Sequence, residues 1–128
     1  VENFTNLVVM TAKAGGKSYT LSGTIFNNTD IRIVNIGDYR IEVIPSPYML
    51  YCTYIDRPGV IGRVGTFLGN AGINIAGMQV GRKAVGGEAV MVLQVDEPVP
   101  PELVRELEKK DGILSTRFIQ LKSSQLLA

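Results

Sequence analysis

The order of strand-like and helical segments from residue 48 onward restricts the fold of this chain more than any other feature of its sequence. Apolar periodicity and turn residues predict a strand over 48–55, a helix from the 56–59 turn to about residue 71, strands over 74–83 and 88–95, a helix over 102–110 and a strand over 113–121. In a β-α-β-β-α-β order, two right-handed crossovers place both helices on one face of an antiparallel sheet. We therefore expect an α+β fold here.

The first predicted helix carries a core-facing stripe and, beside it, a row of glycines. The stripe consists of Val60, Val64, Phe67, Leu68 and Ala71. Gly62, Gly65 and Gly69 share a neighbouring face, and each costs a helix interior about 1 kcal/mol relative to alanine. Three aligned glycines predict close approach by another backbone. A short, frayed helix that tolerates them is the alternative.

The segment before residue 48 is β-rich and predicts an antiparallel meander of four strands, over 5–13, 18–26, 31–36 and 39–44. In the second strand, Tyr19, Leu21, Gly23 and Ile25 alternate with Ser18, Thr20, Ser22 and Thr24, which predicts a solvent-facing polar side. Pro45-Ser46-Pro47 interrupts the pattern, because proline removes a ladder donor. The sequence thus predicts domains over residues 1–46 and 47–122 and a tail over 123–128.

Composition excludes several kinds of site. The 128 residues contain no His and one Cys, Cys52, which leaves no imidazole base, no disulfide framework and no thiolate metal cluster. The net charge of +1 and the lack of a long apolar run indicate neither nucleic-acid nor membrane partners, and we expect a cytoplasmic protein. The chain begins at Val1 without a secretory signal, so we expect a piece of a longer protein.

The turn Asp56-Arg57-Pro58-Gly59-Val60-Ile61-Gly62 joins the strand over 48–55 to the first helix. Asp56 suits a helix cap, and Pro58 tolerates a first-turn position. Together with Gly72-Ile73-Asn74-Ile75-Ala76-Gly77-Met78-Gln79-Val80-Gly81-Arg82 and Gly86-Gly87-Glu88-Ala89, this turn resembles the ACT domain of the long, type I D-3-phosphoglycerate dehydrogenases. Ser22–Phe26 and Tyr39–Glu42 resemble the later part of the allosteric substrate-binding (ASB) domain that precedes ACT in those enzymes.

The resemblance implies a partial ASB meander followed by a βαββαβ ferredoxin-like ACT domain. It also implies a homo-oligomer, either a dimer or a tetramer, in which L-serine or a related small amino acid binds between two ACT domains. Carried onto this sequence, Tyr54 and Asp56 come from one subunit and Asn74 from the partner. The helix-start amides at Gly59, Val60 and Ile61 would receive the carboxylate of the ligand.

Each of these residues has a simpler structural interpretation. Asp56 suits a helix cap, Asn74 a turn residue bonded to its own backbone, and Tyr54 a core aromatic with its hydroxyl at the surface. Arg32 and Arg40 of the meander are candidates for an anion site, such as a phosphorylated metabolite would use in the ASB domain. Solvated cross-strand ion pairs are the alternative for these two arginines.

Catalytic residues, a metal site and a cofactor site are not predicted on this chain. It has no glycine-rich dinucleotide fingerprint, so the resemblance implies that NAD binds in a domain of the parent enzyme that lies elsewhere. We therefore expect a regulatory fragment without enzymatic activity of its own. The alternatives are the ASB–ACT portion of an iron-sulfur L-serine dehydratase and a free-standing ACT sensor or dimerisation module.

Overall fold

A computed structural model describes the backbone of residues 7–14, 17–26 and 30–121, and the side chains of residues 32–121. Within these ranges the chain forms eight strands and two helices. They are β1 (Leu7–Ala14), β2 (Lys17–Phe26), β3 (Asp30–Ile36), β4 (Tyr39–Val43), β5 (Tyr48–Ile55), α1 (Val60–Asn70), β6 (Ile75–Arg82), β7 (Glu88–Val95), α2 (Pro101–Glu108) and β8 (Ile113–Gln120).

The elements from β5 to β8 form the predicted split arrangement. Their sheet has the strand order β6-β7-β5-β8, and all three pairings are antiparallel. Both helices pack on the same face of this sheet. The expected α+β class, with a β meander followed by a ferredoxin-like unit, is therefore confirmed.

The first helix begins later than the turn sequence suggests. Gly59 is its N-cap residue and has a left-handed φ of 93°, and α1 starts at Val60, so Pro58 lies before the helix and not in its first turn. The predicted stripe is only partly buried, since Val60, Val64 and Leu68 are inaccessible whereas Phe67 is half-buried and Ala71 is exposed. Past the helix, Gly72 has a φ of 79°, as a left-handed C-terminal residue requires.

The helix-facing side of the sheet follows the predicted period of two. Ala89, Met91, Leu93 and Val95 of β7 all lie in the core beneath the helices. Leu50, Cys52 and Tyr54 of β5 alternate into the same core, which α1 covers with its buried stripe. Leu107 is the buried residue of α2.

The opposite side of the same sheet is covered by the meander. Strands β1 to β4 pair antiparallel in sequence order, and a tight turn at Gly37-Asp38 joins β3 to β4. A second core lies between the two sheets and contains Ile33, Ile36, Ile41, Val43, Met49, Tyr51, Val90, Val92 and Ile119. The sheet of the β5–β8 unit is therefore buried on both faces.

Some predictions fall outside the described residues. These are the alternation of Tyr19 and its neighbours, the 123–128 tail, and residues 15–16 and 27–29, which lie between the strands. The domain boundary at 46/47 stays a prediction. Neither α1 nor α2, the helices of the described part, is long and apolar enough to cross a membrane.

The three glycines of α1 have no close neighbour in the described chain. A Cβ added at Gly62, Gly65 or Gly69 would have no atom within 4 Å, apart from its own helix backbone. Successive helical positions are separated by 100°, which turns these glycines away from the buried stripe. The backbone predicted to approach them is therefore not one of the described segments of this protomer.

Candidate effector-binding site

Asp56 is held in place by three hydrogen bonds directly after β5. Its backbone N–H donates to the Gly87 carbonyl (2.8 Å), and its own carbonyl accepts from the Gly86 N–H (2.9 Å). Its carboxylate oxygen Oδ2 accepts from Arg82 Nε at 2.7 Å. The predicted helix cap is wrong, since no side chain caps α1 and the Asp56 carboxylate faces the end of β6.

Arg82 is the side-chain partner of Asp56, a contact that local sequence patterns do not predict. It ends the edge strand β6, and its side chain is 55% exposed, against 14% for that of Asp56. The hydrogen bond and charge of Asp56 raise the pKa of the Arg82 guanidinium. In a sequence, an arginine at the end of a strand cannot be told apart from one that is only exposed to solvent. It is the strand order that brings the end of β6 next to this turn.

Tyr54 is a core aromatic, but its hydroxyl does not reach the surface. The residue is 1% exposed, and the buried hydroxyl has no hydrogen-bond partner among the described residues. Burial raises the pKa of the phenol, the nearby charge of Asp56 raises it further, and Arg82 lowers it. Tyr54 thus lies beside the Asp56–Arg82 ion pair. Its hydroxyl has no hydrogen-bond partner, and a buried group left unpaired in this way costs about 1–3 kcal/mol of folding free energy.

Asn74 lies at the other end of β6. Its Nδ2 donates to Asp96 Oδ2 at 2.7 Å, and the Asp96 N–H donates to its carbonyl at 3.2 Å. Eight residue steps along β6 separate it from Arg82, which is about 26 Å at roughly 3.3 Å per residue. One protomer therefore brings Tyr54 and Asp56 together and keeps Asn74 apart from them.

The start of α1 carries the amides predicted to bind a carboxylate. The first N–H groups of a helix have no acceptor within the helix, and the first turn contains no acidic residue. Nearby, Arg57 Nη2 pairs with Asp111 Oδ1 at 3.0 Å, and Arg63 Nη1 donates to the Asp111 carbonyl at 2.7 Å. An open groove of about 800 Å³ runs from here between α1 and α2.

The hairpin of β6 and β7 also contacts the meander. Lys83 Nζ lies 4.6 Å from the ring centre of Tyr39 and 3.9 Å from Asp38 Oδ2. The Tyr39 hydroxyl donates to Glu88 Oε2 at 3.0 Å. Because Arg82 and Lys83 are consecutive, the same hairpin holds Asp56 on one side and the β3–β4 turn on the other.

The two meander arginines lie on neighbouring strands. Arg32 Nε is 4.0 Å from Glu42 Oε1, as in the cross-strand interpretation. Arg40 is exposed on β4. An anion site at these two arginines stays a prediction. Among the described side chains, no group of three His, Cys, Asp or Glu residues could hold a metal ion.

Comparison with known proteins fits this architecture. The model of the family described as the ACT domain matches residues 48–112, just over half of the chain. The chain belongs to the ACT domain family. In this ACT chain the matched region runs from β5 to the turn before β8, and it contains Tyr54, Asp56, Arg82 and Asn74.

The similarity extends to D-3-phosphoglycerate dehydrogenases, as the sequence predicts. The protein of that name from Archaeoglobus fulgidus is 41% identical over 123 residues, covering 94% of this chain and 23% of the relative. Those from Synechocystis sp. (41%; 80% of this chain, 19% of the relative) and Methanocaldococcus jannaschii (40%; 94% and 23%) are similarly close. The ACT chain therefore spans less than a quarter of the length of these relatives.

Proposed function

We propose that this chain is the regulatory region of a D-3-phosphoglycerate dehydrogenase, and that it binds L-serine between two ACT copies as a feedback signal. NAD and the catalytic residues would belong to the rest of a cytoplasmic parent enzyme, and this region would have no activity of its own. The names of the relatives favour this parent over an iron-sulfur L-serine dehydratase.

The placement of Asp56 and Asn74 at opposite ends of β6 carries the proposal. β6 is an edge strand of its sheet, so its outer backbone groups can pair with a second copy. When two identical β6 strands pair antiparallel across a two-fold axis, the Arg82 end of one meets the Asn74 end of the other. Asn74 of the partner subunit then comes to Asp56, which its own Asn74 cannot reach.

The glycine face of α1 supports the same assembly. Gly62, Gly65 and Gly69 are open in the protomer, although glycine weakens a helix. Small side chains permit a second helix to approach closely. A partner copy is therefore the neighbour that the glycine row lacks within one chain.

The chemistry of the pocket suits a small amino acid. Asp56 accepts the ammonium group, and the Asn74 amide can both donate and accept. The amides at Gly59, Val60 and Ile61 are available to an anion at the helix start. The unpartnered Tyr54 hydroxyl is buried beside the Asp56–Arg82 pair, and when Arg82 turns outward it can form a hydrogen bond with the serine hydroxyl, which glycine and alanine lack.

Regulation would follow from a shift in population between two arrangements of the subunits. A ligand that bridges two ACT copies favours the arrangement in which both halves of the pocket meet. The β6–β7 hairpin contacts Asp56 and also Asp38 and Tyr39 of the meander. A change at the pocket therefore has a direct route to the meander, and from there towards the rest of a parent enzyme.

Titration calorimetry with L-serine, glycine and L-alanine on the wild-type chain, Asp56→Ala and Asn74→Ala tests the proposal. We expect heat with L-serine for the wild type and at least roughly tenfold weaker binding for both variants, since each loses a charged or bidentate hydrogen bond. Glu102→Ala, at an exposed carboxylate in the first turn of α2, is the control. Absence of heat with every amino acid would contradict amino-acid binding.

Sedimentation tests the assembly separately. We expect a dimer for the wild type and a monomer for Gly65→Leu, because a large side chain blocks the open face of α1. Arg105→Leu places the same side chain on the exposed face of α2 and should leave the dimer intact. A wild-type monomer in the presence of L-serine would exclude the shared pocket.

A further inference from the structure

The carboxylate assigned to the ammonium group of the ligand is already occupied. Arg82 Nε lies 2.7 Å from Asp56 Oδ2, which is the length of a charge-assisted hydrogen bond. Any cation that binds Asp56 must therefore displace the Arg82 guanidinium or share the carboxylate with it. The role of Arg82 in ligand recognition depends on which charged group is left without a partner after this displacement.

Charge balance separates the possible ligands. The Asp56–Arg82 pair has no net charge, and neither does an α-amino acid at neutral pH. When such a zwitterion enters the pair, its ammonium meets Asp56 and its carboxylate meets Arg82, so one ion pair becomes two. A simple amine leaves the guanidinium without its partner, and a simple carboxylate leaves Asp56 without one.

The side chains of Asp56 and Arg82 differ in how freely they can move. The Asp56 side chain is 14% exposed and its backbone is bonded to Gly86 and Gly87, so it stays in place. The Arg82 side chain is 55% exposed and has room to turn outward. Its guanidinium has five N–H donors in a planar fork that fits a carboxylate. The buried Tyr54 hydroxyl, whose pKa responds to both charges, lies beside the opening.

We infer that Arg82 is a specificity-determining residue of the effector pocket: the Asp56–Arg82 pair opens to admit an α-amino acid, Asp56 binds its ammonium and Arg82 its carboxylate. This inference rests on the proposed function, since it assigns the second arm of the same pocket. It also separates two groups that could bind the ligand carboxylate. One is Arg82 at the end of β6, and the other is the set of amides at Gly59, Val60 and Ile61 at the start of α1.

Titration of three ligands against two arginine variants tests the assignment. The ligands are L-serine, serinol, in which a hydroxymethyl group replaces the carboxylate, and 3-hydroxypropionate, which lacks the ammonium group. The proteins are the wild-type chain, Arg82→Met and Arg82→Lys, with Arg105→Met as a control at an exposed arginine of α2. Thermal melting of each variant verifies that it is folded.

We expect the wild type to bind L-serine roughly 10- to 100-fold more tightly than serinol, the usual range for a charged hydrogen bond. Arg82→Met should weaken L-serine by a similar factor and leave serinol unchanged or tighter, which removes the discrimination. The affinity of Arg82→Lys for L-serine should lie between those of the wild type and Arg82→Met, because an ammonium keeps the charge but lacks the planar fork of donors. Arg105→Met should match the wild type.

Equal or tighter binding of L-serine by Arg82→Met would overturn the inference and leave the proposed function in place, with the α1 amides as the carboxylate anchor. An unchanged preference for L-serine over serinol in Arg82→Lys and Arg82→Met would overturn it as well. Failure of the wild type to bind any amino acid would instead contradict the proposed function, and the inference with it.

Discussion

The two faces of the β5–β8 sheet are both buried, but they are closed by different means. On one face, two helices cover Leu50, Cys52, Tyr54 and the Ala89–Val95 alternation. On the other face, the meander covers Met49, Tyr51, Val90 and Val92 with isoleucines and valines of its own. At the margin of this second face, Lys83, Tyr39 and Glu88 add polar contacts.

In the proposed function, this difference separates ligand recognition from transmission of the signal. The helix face ends in the Tyr54 hydroxyl and the Asp56–Arg82 pair, which form the proposed amino-acid site. The meander face ends in exposed contacts of the same hairpin, through which movement can pass to another sheet. Four changes test this division, in order of expected effect.

Truncation of a core residue on either face should have the largest effect. Leu93→Ala on the helix face and Ile41→Ala on the meander face should each lower the free energy of unfolding by about 2–5 kcal/mol, because a cavity replaces buried side-chain atoms. Both residues are at most 3% exposed. Urea unfolding should show one transition in each variant. A separate early transition in Ile41→Ala would show that the meander unfolds independently of the ACT sheet.

Alkaline pH should weaken the helix face through Cys52. Burial raises the pKa of its thiol from 9.0 to about 12, partly offset by its hydrogen bond to Thr116. Because the folded-state pKa is the higher one, the stability contribution is full below pH 9 and is lost as pH rises towards 12. Unfolding free energy should fall by about 1.4 kcal/mol per pH unit in this window.

Urea titrations of the wild type and Cys52→Ala at pH 8, 9, 10 and 11 measure this slope. The variant begins from a lower stability because of its cavity, but its free energy should decline less steeply above pH 9. Equal slopes would show that the thiol has the same pKa in the folded and the unfolded chain. Tyr54 acts in the same direction above pH 10, since its pKa is also raised, and Tyr54→Phe separates its contribution.

Tyr54→Phe should affect stability and binding in opposite directions. Removal of a buried hydroxyl without a partner should leave the free energy of unfolding unchanged or raise it by up to about 1 kcal/mol. L-serine affinity should fall roughly tenfold, the usual effect of one lost hydrogen bond to a ligand. Tyr48→Phe, at a half-buried tyrosine stacked on Phe118, is the control. A large loss of stability would show that the hydroxyl has a partner in solution.

Disruption of the Lys83–Tyr39 contact should have the smallest effect on stability. Lys83→Met should change the free energy of unfolding by about 1 kcal/mol or less, since exposed cation–π and ion-pair contacts are weak. Tyr39→Leu should have a larger effect, because Tyr39 also packs against the second core and donates a hydrogen bond to Glu88. A double-mutant cycle should give a coupling energy of about 0.5 kcal/mol. If the hairpin transmits the ligand signal, L-serine should protect amides of β4 from hydrogen exchange in the wild type and less so in Lys83→Met.

The architecture from β5 to β8 could be predicted because each element has a clear signal. Gly72 and Gly112 have the positive φ that ends a helix, and β7 shows its period of two. The second buried face could not be predicted in this way, since period two assigns Ala89 and Met91 to one side and leaves Val90 unexplained. A continuous apolar strand buried on both sides was the available signal.

The site was predicted less completely than the fold. Tyr54 and Asp56 do lie together, but the partner of Asp56 is Arg82, 26 positions along the chain. Local patterns favour a helix cap at Asp56, because capping depends only on neighbouring residues. The ion pair depends instead on strand order, which places the C-terminal ends of β5 and β6 at the same end of the sheet. Serine binding and the role of Asn74 stay predictions.

The separation of Asp56 and Asn74 along β6 has a consequence for mixtures of defective chains. In a dimer of one Asp56→Ala subunit and one Asn74→Ala subunit, one pocket receives both alanines and the other receives neither. When equal amounts of two proteins that each fail to bind L-serine are unfolded together and refolded, half of the dimers are mixed and each has one intact pocket, so a quarter of the binding sites should be recovered. Complementation of this kind would be impossible if each chain built its pocket alone.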